Sequence, residues 1–438
     1  MYVGDSRDAA ATSMTGPARR ARRVTRPPFP VYSMSDLHSL YLPCPRGLEQ
    51  ALLDEIRDID GCTARLESSH HAGVALRGSL RDVMLLNLHS RIASRVLLRI
   101  AQAPVAQADD VYRLALRQPW ERWFDATRTL RVDVTAERSP LPSLHFAILR
   151  AKDGVCDHFR LRDGQRPSVA RENPDVRIHL HLDASNALLY LDTSGEALFK
   201  RGWRAAHGEA PLKENLAAGL LRLSGWTPQA VLYDPFCGAG TIAIEAAQMA
   251  CRVAPGLQRG FGFERLQGFD AAQWRQLREQ AQAARRDAPA PIIAADIDPR
   301  MVRLSQDNAQ RAGVEDALQL RQGDALEGAP PLQLAPGQSG WVLSNPPYAE
   351  RIEAKGSQAQ DFLARLGDRL KQRFTGWNAA LLLADLRAER GLGLKASRRH
   401  VLYNGPIECR LFTFALVAGR PPRKPMAEAA GTAPGESQ

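Results

Sequence analysis

Between about residues 213 and 420, short apolar runs alternate with helical stretches, and this alternation limits the fold more than any other feature of the chain. Val231-Leu232-Tyr233, Ile292–Ala295, Leu318–Gln322, Trp341–Ser344 and Ala379–Ala384 read as strands, the first and fourth of them buried. Helical patterns over Gly240–Ala250, Pro299–Ala312 and Asp361–Phe374 separate them. Such an order specifies an α/β domain built on a sheet. Val401–Tyr403 and Arg410–Ala415, joined through Asn404-Gly405-Pro406, close it as an antiparallel pair.

The chemistry is concentrated where these strands end. The first runs directly into Asp234-Pro235-Phe236-Cys237-Gly238-Ala239-Gly240-Thr241. Glycines at a strand-to-helix junction let the backbone approach a ligand closely. Two ligands suit such a loop, a dinucleotide pyrophosphate and the amino-acid end of S-adenosylmethionine. The spacing here is not GxGxxG, and the preceding acid repels a pyrophosphate while suiting an ammonium group, so the methyl donor is favoured. Cys237 reads as a packing residue, since no histidine partner accompanies it. The second strand ends at Asp296, placed to accept from ribose hydroxyls. Asp298 reads instead as a helix N-cap, with Pro299 at the first helical position. The third strand closes at Gly323-Asp324, where an acid can accept from an adenine amino group.

After the fourth strand stand Asn345-Pro346-Pro347-Tyr348. Two prolines exclude a helix and fix an extended backbone. The Asn345 amide oxygen and the Pro346 carbonyl then offer two acceptors to an exocyclic amine on a planar base, and Tyr348 offers a ring to stack on it. By themselves, Asn and Pro-Pro are also common loop punctuation. The three acidic turns upstream favour the chemical reading.

Residues 38–193 mix short strands and amphipathic helices in an α+β pattern, with helices over Gly47–Arg57 and Leu144–Phe159. Strands are expected at Ser39–Leu42, Val74–Leu76 and Leu130–Val134, with a hairpin formed by Val176–Leu182 and Ala187–Leu191. His70-His71, His179 and His181 lack ligand spacing, and the six cysteines form no CxxC pair, so neither a metal nor a disulfide framework is expected. Residues 1–37 and 421–438 read as disordered tails, the first rich in arginine. With 58 Lys+Arg against 48 Asp+Glu, the chain suits a polyanionic partner. No run approaches the roughly 20 apolar residues of a membrane span. A cytoplasmic protein is therefore expected. In the connector 194–212, Arg201-Gly202-Trp203-Arg204 allows two readings, an RNA contact or a tryptophan plug at a domain interface.

On these residues, 213–420 resembles the class I S-adenosylmethionine-dependent methyltransferases, with Asp234–Thr241 as cofactor loop and Asn345–Tyr348 as the amino-group catalytic motif. Adding Arg46-Gly47-Leu48-Glu49, Arg201–Arg204, Ala210-Pro211-Leu212-Lys213-Glu214 and Ala254-Pro255-Gly256-Leu257, the chain from about 38 to 420 is similar to the THUMP-domain bacterial 23S rRNA guanine-N2-methyltransferases. The resemblance implies a Rossmann-like, seven-stranded sheet with an antiparallel last strand. It implies a ferredoxin-like part over 38–79, a THUMP RNA-binding domain over 80–193 and a linker over 194–212. It further implies a cofactor-side role for Glu214, beside the alternative of a Lys213–Glu214 charge pair at a helix start. Within that family some members are fused to a guanine-N7-methyltransferase domain; none follows here, so a single activity is expected. The expected partner is 23S rRNA or a large-subunit assembly intermediate, bound by a monomer. The long stretch between Gly240 and Asp296 reads as substrate wall or as scaffold. Alternatives are a tRNA guanine-N2 enzyme, a DNA adenine-N6 enzyme, a protein-glutamine enzyme, a non-catalytic RNA-binding factor and a nucleotide-dependent oxidoreductase.

Overall fold

A computed structural model describes residues 36–204, 212–347, 357–384 and 388–417. The expected tails therefore lie outside the described residues, apart from Asp36 and Leu37 at the inner edge of the first. The first half contains β1 (His38–Pro43), α1 (Glu49–Arg57), β2 (Arg65–His70), β3 (Gly73–Gly78), α2 (Leu80–His89), β4 (Leu97–Pro104), α3 (Ala108–Leu116), β5 (Leu130–Ala136), α4 (Leu144–Asp163), β6 (Val176–Leu182) and β7 (Asn186–Asp192). All seven strands join one sheet in the order β2-β3-β1-β4-β7-β6-β5. Strand β6 alternates buried and half-buried residues along its length, as expected of a strand with one face on the core. The expected hairpin is present, and its turn is held by the Asp183 carboxylate, which accepts from the Ser185 and Asn186 N–H groups at 2.8 and 2.7 Å.

The second half contains α5 (Glu214–Ser224), β8 (Val231–Asp234), α6 (Thr241–Ala250), α7 (Ala271–Ala283), β9 (Ile292–Asp296), α8 (Pro299–Ala312), β10 (Leu318–Gln322), β11 (Gly340–Ser344), α9 (Ser357–Arg373), β12 (Asn378–Leu383), α10 (Ala388–Leu392), β13 (Arg398–Asn404) and β14 (Ile407–Ala415). Its seven-stranded sheet has the order β10-β9-β8-β11-β12-β14-β13. Neighbours from β10 to β12 are parallel, and β14 runs antiparallel to both of its neighbours. Except in β10, which lies at the sheet edge and is partly exposed, the short apolar runs are buried on both faces because helices cover both. Consecutive residues go to opposite cores: Leu232, Ile292, Leu343 and Ala380 to one, Tyr233, Ile293, Val342 and Ala379 to the other. The strand order reverses between β8 and β11, and in open parallel sheets ligands bind outside the carboxyl ends of the strands at such a point.

The first core continues from the α+β half into the second, so the two halves share an interior. Leu48 fills the space beside Gly219, where a Cβ would lie 2.3 Å from Leu48 Cδ1. Close by, the fully buried Glu245 of α6 pairs with Arg91 at 3.2 Å and with Arg201 at 3.1 Å. Arg201 also donates to the carbonyls of Leu198 and Arg91, and Trp203 is 1% exposed. Arg201 therefore ties the two halves together, and the RNA-contact reading of Arg201 and Trp203 is corrected: burial leaves them no surface to offer. The stretch after Gly240 is likewise scaffold at its centre. Phe261 and Phe263 are buried and stacked, and Arg259 donates to the carbonyls of Ser194, Glu196 and Ala197. No helix among the described residues is long and apolar enough to cross a membrane.

Candidate active site

The expected site residues meet along the carboxyl edge of the second sheet. In strand order, β10 leads to Asp324, β9 ends on Asp296, β8 ends on Asp234, and β11 leads to Asn345. Neighbouring strands lie about 5 Å apart, so these four residues follow one another along this edge, with Asp234 and Asn345 on the two strands that flank the switch point.

Asp234 is 1% exposed and accepts from the Ser344 hydroxyl and from the Phe236 N–H. It thereby ties the end of β8 to the end of β11. Burial pushes its carboxyl up to about 7, against the pull of the Ser344 hydroxyl and the Phe236 N–H, with the Asp296 charge pushing the same way as burial. Pro235 is buried behind it, and the Phe236 ring meets Phe362 edge-on at 5.8 Å. The buried Cys237 has its N–H on the Ala295 carbonyl at 2.9 Å, and burial raises its thiol well above the ordinary range. That environment keeps it protonated and inert, as its packing role requires.

The loop then turns through two left-handed glycines, Gly238 at φ +52° and Gly240 at φ +81°. They serve different needs. A Cβ on Gly240 would lie 3.0 Å from Ser305 Oγ, whereas a Cβ on Gly238 meets nothing within 4 Å. Gly240 is thus held in tight quarters against Ser305, and Gly238 presents bare backbone to open space. Helix α8 braces the loop from behind, with Ser305 Oγ donating to the Gly238 carbonyl at 2.7 Å and Asn308 Nδ2 to the Ala239 carbonyl at 3.0 Å. Asp296 holds it from the side, accepting the Gly238 N–H at 2.9 Å on one oxygen and the Asp298 N–H at 2.9 Å on the other. Each carboxylate oxygen retains a second lone pair for a ligand. Asp298 caps α8 by accepting the Arg300 N–H, in line with its expected role. Asp324 accepts the Leu326 N–H at 2.8 Å, closing the turn after β10.

Asn345 is half-buried, and its Oδ1 is a buried acceptor with no hydrogen-bond partner. A buried amide oxygen left unpaired costs on the order of 1–3 kcal/mol, which a ligand N–H would recover. Pro346 is buried and Pro347 exposed, while Tyr348 lies outside the described residues. Glu214 opens α5, 5% exposed, and accepts from Arg204 Nε at 2.8 Å. Lys213 instead places its ammonium over the Phe199 ring at 5.1 Å, so the alternative of a Lys213–Glu214 charge pair gives way to an Arg204–Glu214 pair. Thr241 begins α6 and accepts from Arg204 Nη2 at 2.9 Å.

The residues that sequence reasoning missed are Ser344, Ser305, Asn308 and Arg204 in its contacts at this loop. The first three carry no local pattern, since their partners lie 67 or more positions away. His179 and His181 both meet Thr135 Oγ1, at 2.9 and 3.0 Å, and among the described residues no group of three or more His, Cys, Asp or Glu side chains is placed to hold a metal.

An edge of bare glycine backbone, the Asp296 and Asp324 carboxylates on the neighbouring strand ends and an orphaned amide oxygen suit an adenosyl ligand with its reacting carbon near Asn345. Comparison with known proteins gives the same direction. Residues 201–413 match the RMKL-like methyltransferase domain, 105–192 the THUMP domain, and 39–97 the RlmL ferredoxin-like domain. The chain is 40% identical to ribosomal RNA large subunit methyltransferase K/L of Pseudomonas paraeruginosa, over 86% of this chain and 53% of that protein. With the protein of the same name from Methylococcus capsulatus it shares 39%, over 87% of this chain and 51% of that one. The chain thus spans about half the length of the curated relatives it matches. Among solved structures, SMU.472 in complex with SAH is 27% identical, with a TM-score of 0.78 over 88% of this chain and 99% of that one. A structure described as a predicted N6-adenine-specific DNA methylase from Listeria monocytogenes is also 27% identical, with a TM-score of 0.76 over 86% of this chain and 96% of that one.

Proposed function

The chain belongs to the RMKL-like methyltransferases that carry RlmL ferredoxin-like and THUMP domains, and we propose that it methylates the exocyclic N2 amine of a guanine in 23S ribosomal RNA, using S-adenosylmethionine. The observation that carries the chemistry is the unpartnered Asn345 Oδ1 at the end of β11, one strand from the glycine loop. S-adenosylmethionine, when bound, supplies an electrophilic methyl group. The loop Asp234–Thr241 would hold its amino-acid end, Asp296 the ribose hydroxyls and Asp324 the adenine amine, in the order in which the strands present them.

The protein's task is then to make a poor nucleophile available. The lone pair of the guanine N2 amine is delocalised into the ring. Asn345 Oδ1 accepts one amine hydrogen and the Pro346 carbonyl the other, which draws the nitrogen toward tetrahedral geometry and frees the lone pair. The two prolines hold the backbone rigidly, so the Pro346 carbonyl needs no reorganisation during transfer. Tyr348 is assigned to stack on the target base, which leaves its helix or loop to reach the site. The methylated amine then loses its surplus proton readily, and no strong base is required. Phosphate and shape contacts to the surrounding RNA are assigned to the THUMP-containing half, acting in the cytoplasm on rRNA or an assembling large subunit.

The test is incubation with labelled donor and unmodified 23S rRNA, tRNA or duplex DNA, followed by mapping of the modified base. The expected product is N2-methylguanine in 23S rRNA. Label confined to tRNA would refute the ribosomal target and spare the amine chemistry. Label at adenine N6 in DNA would overturn the base assignment as well.

A further inference from the structure

In Arg46-Gly47-Leu48-Glu49, packing accounts for every residue except the first. Leu48 fills the space beside Gly219. Glu49 opens α1, and its carboxylate accepts the Gly47 N–H at 3.0 Å and the Ala72 N–H at 2.8 Å. It therefore ties the loop before α1 to the turn between β2 and β3. Ala72 is left-handed in that turn, at φ +62°, which is uncommon for a residue with a side chain; its carbonyl accepts the Cys44 N–H at 2.9 Å. Gly47, at φ +89°, lies directly against the edge strand β13, where a Cβ would stand 2.2 Å from the Val401 carbonyl oxygen. Arg46 is exposed, with its Cζ 4.5 Å from the centre of the Tyr403 ring.

These contacts frame a solvent-open cavity of about 370 Å³, within the size range of ligand pockets. Arg46 and Gly47 form one wall, His70 and His71 a second, and Val401 and Tyr403 a third. Strand β13 runs parallel to β12, because both are antiparallel to β14. Its end therefore reaches the same carboxyl edge as Asn345. Ser344 is level with Leu381, Phe412 and Arg399 in turn across the sheet, so Val401 and Tyr403 stand beyond it toward that edge. Three strand spacings separate β11 from β13, roughly 14 Å. Arg410 stands between them on β14, opposite both Leu383 and Val401, and its Nε has no hydrogen-bond partner. The neighbouring acid, Glu408, is engaged: it accepts from the Tyr403 hydroxyl at 3.3 Å and lies 4.0 Å from Arg410.

A guanidinium on an aromatic ring is a platform for an unstacked base, and a second arginine along the path suits the phosphates that follow. We propose that this groove takes an unpaired nucleotide of the RNA substrate, its base stacked on the Arg46–Tyr403 pair. That nucleotide lies a few positions along the strand from the base entering at Asn345, and Arg410 draws the phosphates between them. This rests on the reading of RNA as substrate and adds a second anchor to it, built jointly by the ferredoxin-like part and the closing hairpin β13–β14.

The experiment is fluorescence anisotropy with the full chain and two labelled probes, an oligouridine of about twelve nucleotides and a fully paired RNA hairpin with as many phosphates. Tyr403→Ala is expected to weaken oligouridine about fivefold to a hundredfold, the scale of one lost base–aromatic stack, and the hairpin by less than about twofold. Tyr403→Phe keeps the ring without the hydroxyl, and binding within about twofold of wild type is expected. Arg46→Gln should weaken oligouridine about threefold to tenfold. On 23S rRNA, Tyr403→Ala and Arg46→Gln should raise KM more than they lower kcat. Equal losses on oligouridine and hairpin would mean general electrostatics or a damaged fold, and would overturn the proposal. Unchanged oligouridine binding in both variants overturns it too, as does a wild type that binds no oligouridine. Should Tyr403→Ala not fold, the exposed Arg46→Gln decides by the same comparison. Methylation of 23S rRNA with unaltered KM in both variants overturns the groove and leaves the proposed function standing. Label entering DNA only overturns the proposed function, and the two probes then decide the groove by themselves.

Discussion

Replacing Asp234 by Asn should change how stability depends on pH more than it changes the fold. The carboxyl is fully enclosed, and burial moves it from 3.8 to about 7. The shift is about three pH units, and each unit corresponds to about 1.4 kcal/mol. The folded protein holds this proton more tightly than the unfolded chain does. Its contribution to stability is therefore fully present below the unfolded value near 3.8 and is lost as pH rises through about 7. Above that pH the wild type carries an ionised, buried carboxylate at a cost of up to about 4 kcal/mol. An Asn at this position still accepts from the Ser344 hydroxyl but does not titrate. The variant should therefore gain stability relative to the wild type between about pH 4 and pH 8, by an amount approaching that figure. Urea unfolding of both proteins across this range measures the difference, in which all other titrating groups cancel. A difference constant to within about 0.5 kcal/mol would refute the reasoning, since it would mean that Asp234 does not change its charge on folding.

Asn345→Ala is expected to lower kcat by roughly a hundredfold to a thousandfold, the scale of one lost preorganised donor or acceptor, with donor affinity by calorimetry unchanged within about twofold; a threefold loss or less would sink the acceptor role. Gly238→Ala and Gly240→Ala should separate binding from folding. Both incur about 1–2 kcal/mol for a left-handed backbone, but only the second also drives a methyl against Ser305, so it should show the lower melting temperature, while Gly238→Ala should lose donor affinity. Glu245→Gln leaves Arg91 and Arg201 buried side by side without their shared counter-charge. A cost of about 3–5 kcal/mol is expected, read as a fall in thermal stability, and an unchanged melting curve would show that the triad does not hold the two halves together.

Much of the second half was legible because its signals are local. Leu318–Gln322 has its expected boundaries, and Ile292–Ala295 extends by one residue to Asp296. In the first half, β2, β4 and α3 were missed. β2 (Arg-Leu-Glu-Ser-Ser-His) lies exposed at the sheet edge, so no alternation marks it. In β4, only Leu97 and Leu98 are buried, too few to set a period. Helix α3 did carry a signal, with Val111, Leu114 and Ala115 on its inner face.

The sequence by itself determined the α/β alternation, the glycine loop and the rigid Asn345-Pro346-Pro347 turn. Each of these depends on what a residue permits in its own backbone or on the hydropathy of a short run, and such properties travel with the segment. Which partner each charged side chain takes was decided only by the tertiary structure. Asp234 turns inward to a hydroxyl 110 residues away, Arg201 goes to a buried glutamate 44 residues on, and Arg204 bridges Glu214 and Thr241. A carboxylate or guanidinium satisfies itself wherever packing brings a complementary group within about 3 Å, and that distance is set by how the helices and sheets stack, which no local pattern encodes.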